Sequence, residues 1–366
     1  MEFVSFHTHS TFSYGDGFGS VEAHVQRVAA LGMSAMALSE HGSVSSHVQL
    51  ERECNKAGIK PIFGIEAYFG PVSEEKRTQS KTHLTIFAMD EEGYRNLNRL
   101  VTQSWLDFYQ YPTVSWENLR KHSAGLAVFS GCADSLASCT LLGGKFLGPR
   151  RDPELDSSRR QKAVHRVLAR FTDVFEDRFF LETQRFPGLS RTRAINEEFA
   201  RIARDTGIPL IATADVHYPF PHQNIMQTAL HAAHRGGSVA TVDAEWEYDI
   251  LLTYPESDEE IIKDLVGTGL SEDEAKQAVA NTAELAKRCN VELPKAKPIR
   301  FPGVKIDKAM LCGPKAPSEG DKEEVRKFAT QLYMMNEIKK GWKYRCKQRP
   351  EIAKRAKEYS RRISYE

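Results

Sequence analysis

Seven short apolar runs, spaced by segments of helical periodicity, restrict this chain more than any other feature. They lie at 3–6 (Phe-Val-Ser-Phe), 35–39, 61–65, 83–89, 125–130, 178–182 and 208–214. Runs this short and this apolar read as strands buried on both faces. Between the first two, Val21, Val25, Val28 and Leu31 fall on one helical side, with Ser20 placed to cap the helix. Segments 46–57, 91–103, 159–175 and 191–206 share that spacing. Alternating strands and helices predict an α/β fold with a mainly parallel sheet covered on both faces. Closed on itself, the sheet is a (β/α) barrel of seven strands. Left open, it is a doubly wound sheet, and alternation alone does not choose between the two.

In a barrel, chemistry gathers at the C-terminal ends of the strands. The first run ends in His7 and His9, with Asp16 beyond it in a Gly-Asp-Gly turn. Residues at i and i+2 of a strand share a face, so the two imidazoles point together. The second run leads into Glu40-His41-Gly42, the third into Glu66, the fifth into Gly131-Cys132, the sixth into Glu182 and the seventh into Asp215-Val216-His217. His83 stands at the start of the fourth run, where the rule places no ligand. His7, His9, Asp16, His41, Glu66, His83, Cys132, Asp215 and His217 therefore form a candidate donor set of imidazoles, carboxylates and one thiol. One tetrahedral ion takes about four donors. Nine suit two or three divalent cations sharing carboxylates, with zinc, manganese and iron all compatible with the mixture.

After 217 the alternation stops. Residues 218–252 read as loop and short helix, and Ser271 with Glu274 forms a capping box for a helix to about Cys289. The prolines and glycines of 294–321 mark a linker. A last helical region, 322–341 and 350–366, is expected to break at Gly341 and Pro350. The run 143–160 reads as a surface loop. Residues 321–366 hold 14 Lys/Arg against 7 Asp/Glu, and the preceding 320 hold 36 against 42. A basic tail on an acidic body suits a metal-binding barrel attached to something that meets nucleic acid, or simply a solvated helix. Six scattered cysteines do not resemble a disulfide framework. No apolar run approaches the roughly 20 residues that span a bilayer. With no signal-peptide pattern at the start, a cytoplasmic setting is expected.

Several stretches then resemble one known family. They are His7-Thr8-His9-Ser10, Ser39-Glu40-His41-Gly42, Gly58-Ile59-Lys60-Pro61, Gly64-Ile65-Glu66-Ala67-Tyr68 and Ala212-Thr213-Ala214-Asp215-Val216-His217-Tyr218. Together they are similar to the polymerase-and-histidinol-phosphatase (PHP) domain, in the form that opens the alpha subunit of bacterial replicative DNA polymerase III. Glu92-Gly93-Tyr94-Arg95-Asn96-Leu97, Ser130-Gly131-Cys132 and Asn281-Thr282-Ala283 add to the likeness, which is good over about 1–300 and thin from Gly341 to Glu366. The resemblance implies a distorted seven-stranded barrel over 1–293, with a helical C-terminal part and a trinuclear site whose ligands are the nine residues above. It further implies a linker at 294–321 and a basic helical segment at 322–366 that leads towards a polymerase palm. Some polymerase members have lost these ligands and keep the domain as a scaffold, whereas here all nine positions carry competent donors. Glu40 departs from the Asp more usual before the histidine.

On this resemblance the expected activity is metal-dependent phosphoester hydrolysis at the 3′ end of DNA, a proofreading 3′–5′ exonuclease within a polymerase assembly. Tyr14 and Arg185 are candidates to steady the strand or its phosphate. The expected partners are DNA and the remainder of the polymerase (palm, fingers and thumb) or other replisome subunits, with no membrane. The 366 residues are expected to stop short of a palm, so that polymerase activity resides elsewhere. The alternatives are a metal-stabilised scaffold that docks those partners and, less favoured, a small-molecule phosphatase.

Overall fold

Alternate residues of each stave face opposite ways, and both faces are buried. Val4, Phe6, Ala35, Ala37, Ile62, Phe87, Ala127, Phe129, Phe180 and Ile211 form one apolar cluster. Their neighbours Met36, Leu38, Phe63, Ile65, Leu84, Ile86, Val128, Phe179, Leu181 and Leu210 join a larger cluster with the helices. The period of two thus separates a barrel interior from a layer beneath the helices. The computed structural model describes residues 1–76, 79–143, 157–241, 250–295 and 322–365. They divide into two compact units, 1–293 and 294–366.

In the first unit the strands are β1 Ala35–Leu38, β2 Lys60–Phe69, β3 Thr82–Ala88, β4 Thr113–Val114, β5 Leu126–Phe129, β6 Phe179–Gln184 and β7 Leu210–Thr213. They run in the order β1-β2-β3-β5-β6-β7, with β4 paired to the end of β2. The first segment joins the two edges. Ser5 bridges Met36, and Thr8 bridges Val216 just past β7. Its backbone serves both sides: Ala37 donates to Ser5 at 2.8 Å, and His9 donates to Val216 at 2.7 Å. Residues 3–6, expected as a strand, are therefore a stave made of isolated bridges, because the segment passes from one edge to the other. With it the ring has seven staves and closes as a distorted barrel.

The sheet is mixed, which corrects the expectation of a mainly parallel one. β3 is antiparallel to both β2 and β5, while β1–β2, β5–β6 and β6–β7 are parallel. The two-residue β4 was also not expected. It follows α3 (Glu91–Leu106), and the helices α1 (Val21–Ala30) and α2 (His47–Ala57) flank β1. Further helices of the unit are α4 Trp116–Lys121, α5 Leu136–Leu142, α6 Ser157–Phe175, α7 Ser190–Thr206, α8 Asn224–Arg235, α9 Asp258–Gly267 and α10 Glu272–Arg288. Ser20 caps α1 through the Ala23 amide, and Ser271 with Glu274 forms the capping box of α10.

Leu285, Ala286 and Cys289 at the end of α10 enter the interior cluster. Lys60 at the start of β2 donates to the Ala286 carbonyl, and the Asn290 amide donates to that of Met89. The C-terminal end of α10 thus covers the barrel opposite the strand ends that carry the donors. The interior is tight where β2 passes β3. A Cβ on Gly64 would lie 2.3 Å from Phe87 Cδ1, so glycine is what lets these strands pair.

In the second unit α11 Lys322–Gln348 continues through Gly341, and the break comes before α12 (Pro350–Ala353). A helical glycine costs only about 1 kcal/mol, so the expected break at Gly341 does not occur. α13 (Ala356–Tyr365) places Tyr359 against Trp342, ring centroids 5.7 Å apart. Most of the expected linker (296–321) and of the 143–160 loop (144–156) lies outside the described residues, and 157–160, read as part of that loop, instead begin α6.

Candidate metal centre

The nine candidate donors converge at one mouth of the barrel. His7 Nε2 lies 3.3 Å from both Glu66 Oε1 and Asp215 Oδ1. His9 Nε2 lies 3.6 Å from Glu66 Oε2 and 3.8 Å from Asp215 Oδ1. His41 Nδ1 is 2.8 Å from Glu66 Oε2, and its Nε2 is 2.7 Å from Asp16 Oδ2. His83 Nδ1 is 3.1 Å from Glu66 Oε1, and Cys132 Sγ lies 3.5 Å from each of them. His217 reaches Asp16 Oδ2 through Nε2 at 3.1 Å. Donor atoms close enough to share an ion form three overlapping sets: His9–His41–His217, His7–His9–Glu66 and Glu66–His83–Cys132. His9 and Glu66 each belong to two of them.

The direction of β3 accounts for His83. At the start of an antiparallel strand, it sits beside the ends of its neighbours, opposite Tyr68 of β2. Its amide donates to the Asp134 carbonyl at 3.0 Å. Gly131 makes the turn to Cys132 at a φ of +90°, with the His83 carbonyl 2.9 Å from where a Cβ would stand. Asp215 has a φ of +44°, a conformation rare outside glycine and concentrated at functional sites.

A second layer fixes the imidazoles. Fully buried Glu182 accepts from His7 Nδ1 at 2.6 Å, from Thr213 at 2.8 Å and from Thr85 at 3.0 Å. A carboxylate only accepts, so His7 Nδ1 carries a proton and Nε2 faces the ring. Burial opposes a charge on His7, yet Asp215, Glu182 and Glu66 raise it well above its ordinary range. Ser13 Oγ donates to Glu40 at 2.5 Å and therefore accepts from His9 Nδ1 at 2.8 Å, which turns His9 Nε2 inward in the same way. Ser10 also donates to Glu40, through Oγ at 2.6 Å. His217 Nδ1 donates to the Asp215 carbonyl at 2.9 Å, and Gln184 donates to Asp215 Oδ2 at 2.9 Å. Partners of this kind orient metal-binding histidines and raise their basicity.

Several of these contacts were not foreseen. Glu182 was visible as a strand end but was not counted with the donors. His231 and Gln227 of α8 reach Asp16 Oδ1 at 2.5 and 3.3 Å. They lie in a stretch read as loop and short helix, where a 12-residue helix forms. Their i, i+4 spacing on one helix face is the signal that could have found them. Tyr14 is 85% exposed, on the loop that carries Ser13 and Asp16, with its ring edge-on to His234. Arg185, expected beside a phosphate, instead engages α9. Its Nε donates to Asp264 at 2.8 Å and its Nη2 pairs with Glu260 and Asp264.

The donor set fits cations. His7 Nε2, His9 Nε2 and Asp215 Oδ1 are buried here without a hydrogen-bond partner, whereas buried polar atoms are normally paired. The charges point the same way. Burial opposes a charge on His41 and His217, yet the carboxylates beside them raise these groups to about 10 and about 9. Burial, helped by His41 and His217, holds His9 well below its ordinary range and so neutral. Burial also pushes the Cys132 thiol up, with Glu66 adding to it. The carboxylates of the ring call for positive charge at its centre, and divalent ions would supply it.

A curled α/β sheet with imidazoles, carboxylates and a thiol clustered at one mouth defines a barrel whose donor groups could hold metal ions. Residues 5–186 match the PHP domain, and the chain belongs to that family. Over 314 residues it is 28% identical to the DNA polymerase III subunit alpha of Helicobacter pylori (strain J99), covering 84% of this chain and 25% of that protein. Over 305 residues it is 30% identical to the same subunit of Treponema pallidum, covering 82% and 24%. The chain thus spans about a quarter of the length of the curated relatives it matches. Among solved structures, histidinol phosphate phosphatase of Lactococcus lactis, complexed with zinc, L-histidinol and phosphate, aligns with a TM-score of 0.36 and 13% identity. That alignment covers 65% of this chain and 95% of the other. Among the described residues no helix is long and apolar enough to cross a membrane.

Proposed function

We propose that the chain is a metal-dependent phosphoesterase that removes nucleotides from the 3′ end of DNA, and that it works with the rest of a DNA polymerase III. The observation that carries the reading is the overlap of donor sets through Glu66, which presents Oε1 to His7 and His83 and Oε2 to His9 and His41, since a shared carboxylate holds ions as close neighbours. When bound, two or three such ions (zinc, manganese or iron) would polarise a phosphoryl oxygen and lower the pKa of a water.

The chain's own residues prepare that site. Glu182 and the Glu40–Ser13 pair set the tautomers of His7 and His9. Glu66 offers both oxygens, Oε1 towards His7 and His83 and Oε2 towards His9 and His41. Asp16, held by His231 and Gln227, is oriented before any substrate arrives. The phenylalanines below the ring exclude water from that side of it.

The relatives named as polymerase alpha subunits support a DNA substrate and polymerase partners. The experiment is to load the purified chain with manganese or zinc, verify the bound metal, and supply a 5′-labelled single strand. Stepwise shortening from the 3′ end is expected, with Glu66→Gln at least about a hundredfold slower, since ligand loss exceeds the roughly 10–100-fold cost of disturbing an outer partner. Intact DNA across pH with metal bound would overturn the reading.

A further inference from the structure

Helix α3 ends in aromatic rings that face solvent and lead to the donor ring. Trp105 and Phe108 stack almost parallel, centroids 5.6 Å apart at 9°, and remain 53% and 50% exposed. On the following loop Tyr111, 46% exposed, packs on Tyr68 at 4.6 Å. Tyr68 in turn lies over His41 at 6.0 Å and meets His83 edge-on at 5.6 Å. The Trp105 indole N–H donates to the carbonyl of Gly42, the residue after His41, at 3.0 Å. One arm therefore ends at His41 and His83 and the other at the residue after His41. The loop between them is held in an uncommon shape, with Gln110 at a φ of +62°.

We propose that this cluster is a stacking platform for unpaired bases of a single-stranded nucleic acid, which it leads towards the donor ring. The inference rests on the phosphoesterase reading above and names the form of its substrate. Exposed planar rings bind any base through its π-face and tolerate sequence. A duplex keeps those faces covered by its own stacking. What favours a strand over a protein partner is continuity: half-exposed Tyr111 packs on Tyr68, whose ring contacts His41 and His83, so a base stacked on Tyr111 is one ring away from the donor ring.

The test uses the whole chain, stripped of metal by a chelator so that nothing is cut, and a fluorescent oligothymidylate carrying 5-iodouracil. Ultraviolet crosslinks are expected on Trp105, Phe108 or Tyr111. Trp105→Ala with Phe108→Ala is expected to weaken binding roughly tenfold or more, while Trp105→Phe, which keeps a ring without the indole N–H, stays close to wild type. Phe108→Ser alone, a surface change without lost hydrogen bonds, guards against misfolding and is expected to weaken binding as well. Crosslinks confined to other segments, or unchanged affinity in the double variant, would overturn the platform and leave the surface to protein contacts. A parallel assay with bis(4-nitrophenyl) phosphate and manganese separates the two readings. Ester hydrolysis without binding at these rings removes the platform alone. Binding at these rings with no hydrolysis of ester or DNA removes the phosphoesterase reading and leaves the platform standing.

Discussion

Glu182 shows most clearly how one side chain governs the mouth of the barrel. It is almost wholly buried, accepts three side-chain hydrogen bonds and directs His7. Glu182→Gln keeps the shape but turns one acceptor into a donor, so metal affinity is expected to fall by roughly 10–100-fold. Competition with a chromophoric chelator measures this, and unchanged affinity would remove Glu182 from its orienting role. Gly64→Ala tests the interior below. The added methyl meets the Phe87 ring, which Phe6 and Phe129 hold in place at 5.0 and 4.7 Å. Urea unfolding should show a loss of about 1–3 kcal/mol. At this scale the sequence was informative wherever a donor followed an apolar run, as with His7, Glu66 and Asp215. It was silent where a contact depends on tertiary placement. Nothing local to His231 says that it meets Asp16, 215 residues away. Likewise, nothing local to Arg185 says that α9 supplies its carboxylates.

Among the elements, β3 is where reading and structure part. Hydrophobic alternation reports that a segment is a strand but not which way it runs, so His83 looked misplaced until β3 proved antiparallel. The caps at Ser20 and Ser271 were legible because capping is local chemistry. Helix α8 was not, lying in a stretch of mixed pattern and ending in the left-handed Gly236. Helix α2 carries a further consequence. Its His47 is buried, donates to the Gly64 carbonyl at 3.0 Å and packs on Phe63 and Tyr94. Burial lowers it to about 4. The folded state therefore stays neutral there while the unfolded chain binds a proton below about 6.5. Stability is then lost as pH falls from about 6.5 to about 4, on the order of 1.4 kcal/mol per pH unit for this one group. His47→Gln should flatten that slope in urea titrations. An unchanged slope would show that His47 is not buried neutral.

For the whole barrel, the donors come from its first segment, from β2 and β3, and from the turns after β1, β5 and β7, so bound ions would join most of the ring. Ligands that bind only the folded state stabilise it by mass action. Chelation is accordingly expected to lower the melting temperature by on the order of 10 °C in calorimetry, and restoring the metal should recover it. The measurement that bears most directly on the account is anomalous diffraction from crystals of the metal-loaded chain, at the absorption edge of the metal supplied. Two or three peaks are expected inside the ring, each about 2.0–2.3 Å from its donors, with Glu66 next to two of them. Metal-loaded crystals whose peaks lie away from His7, His9, Glu66 and Asp215, or which show no peak at the mouth of the barrel, would contradict it.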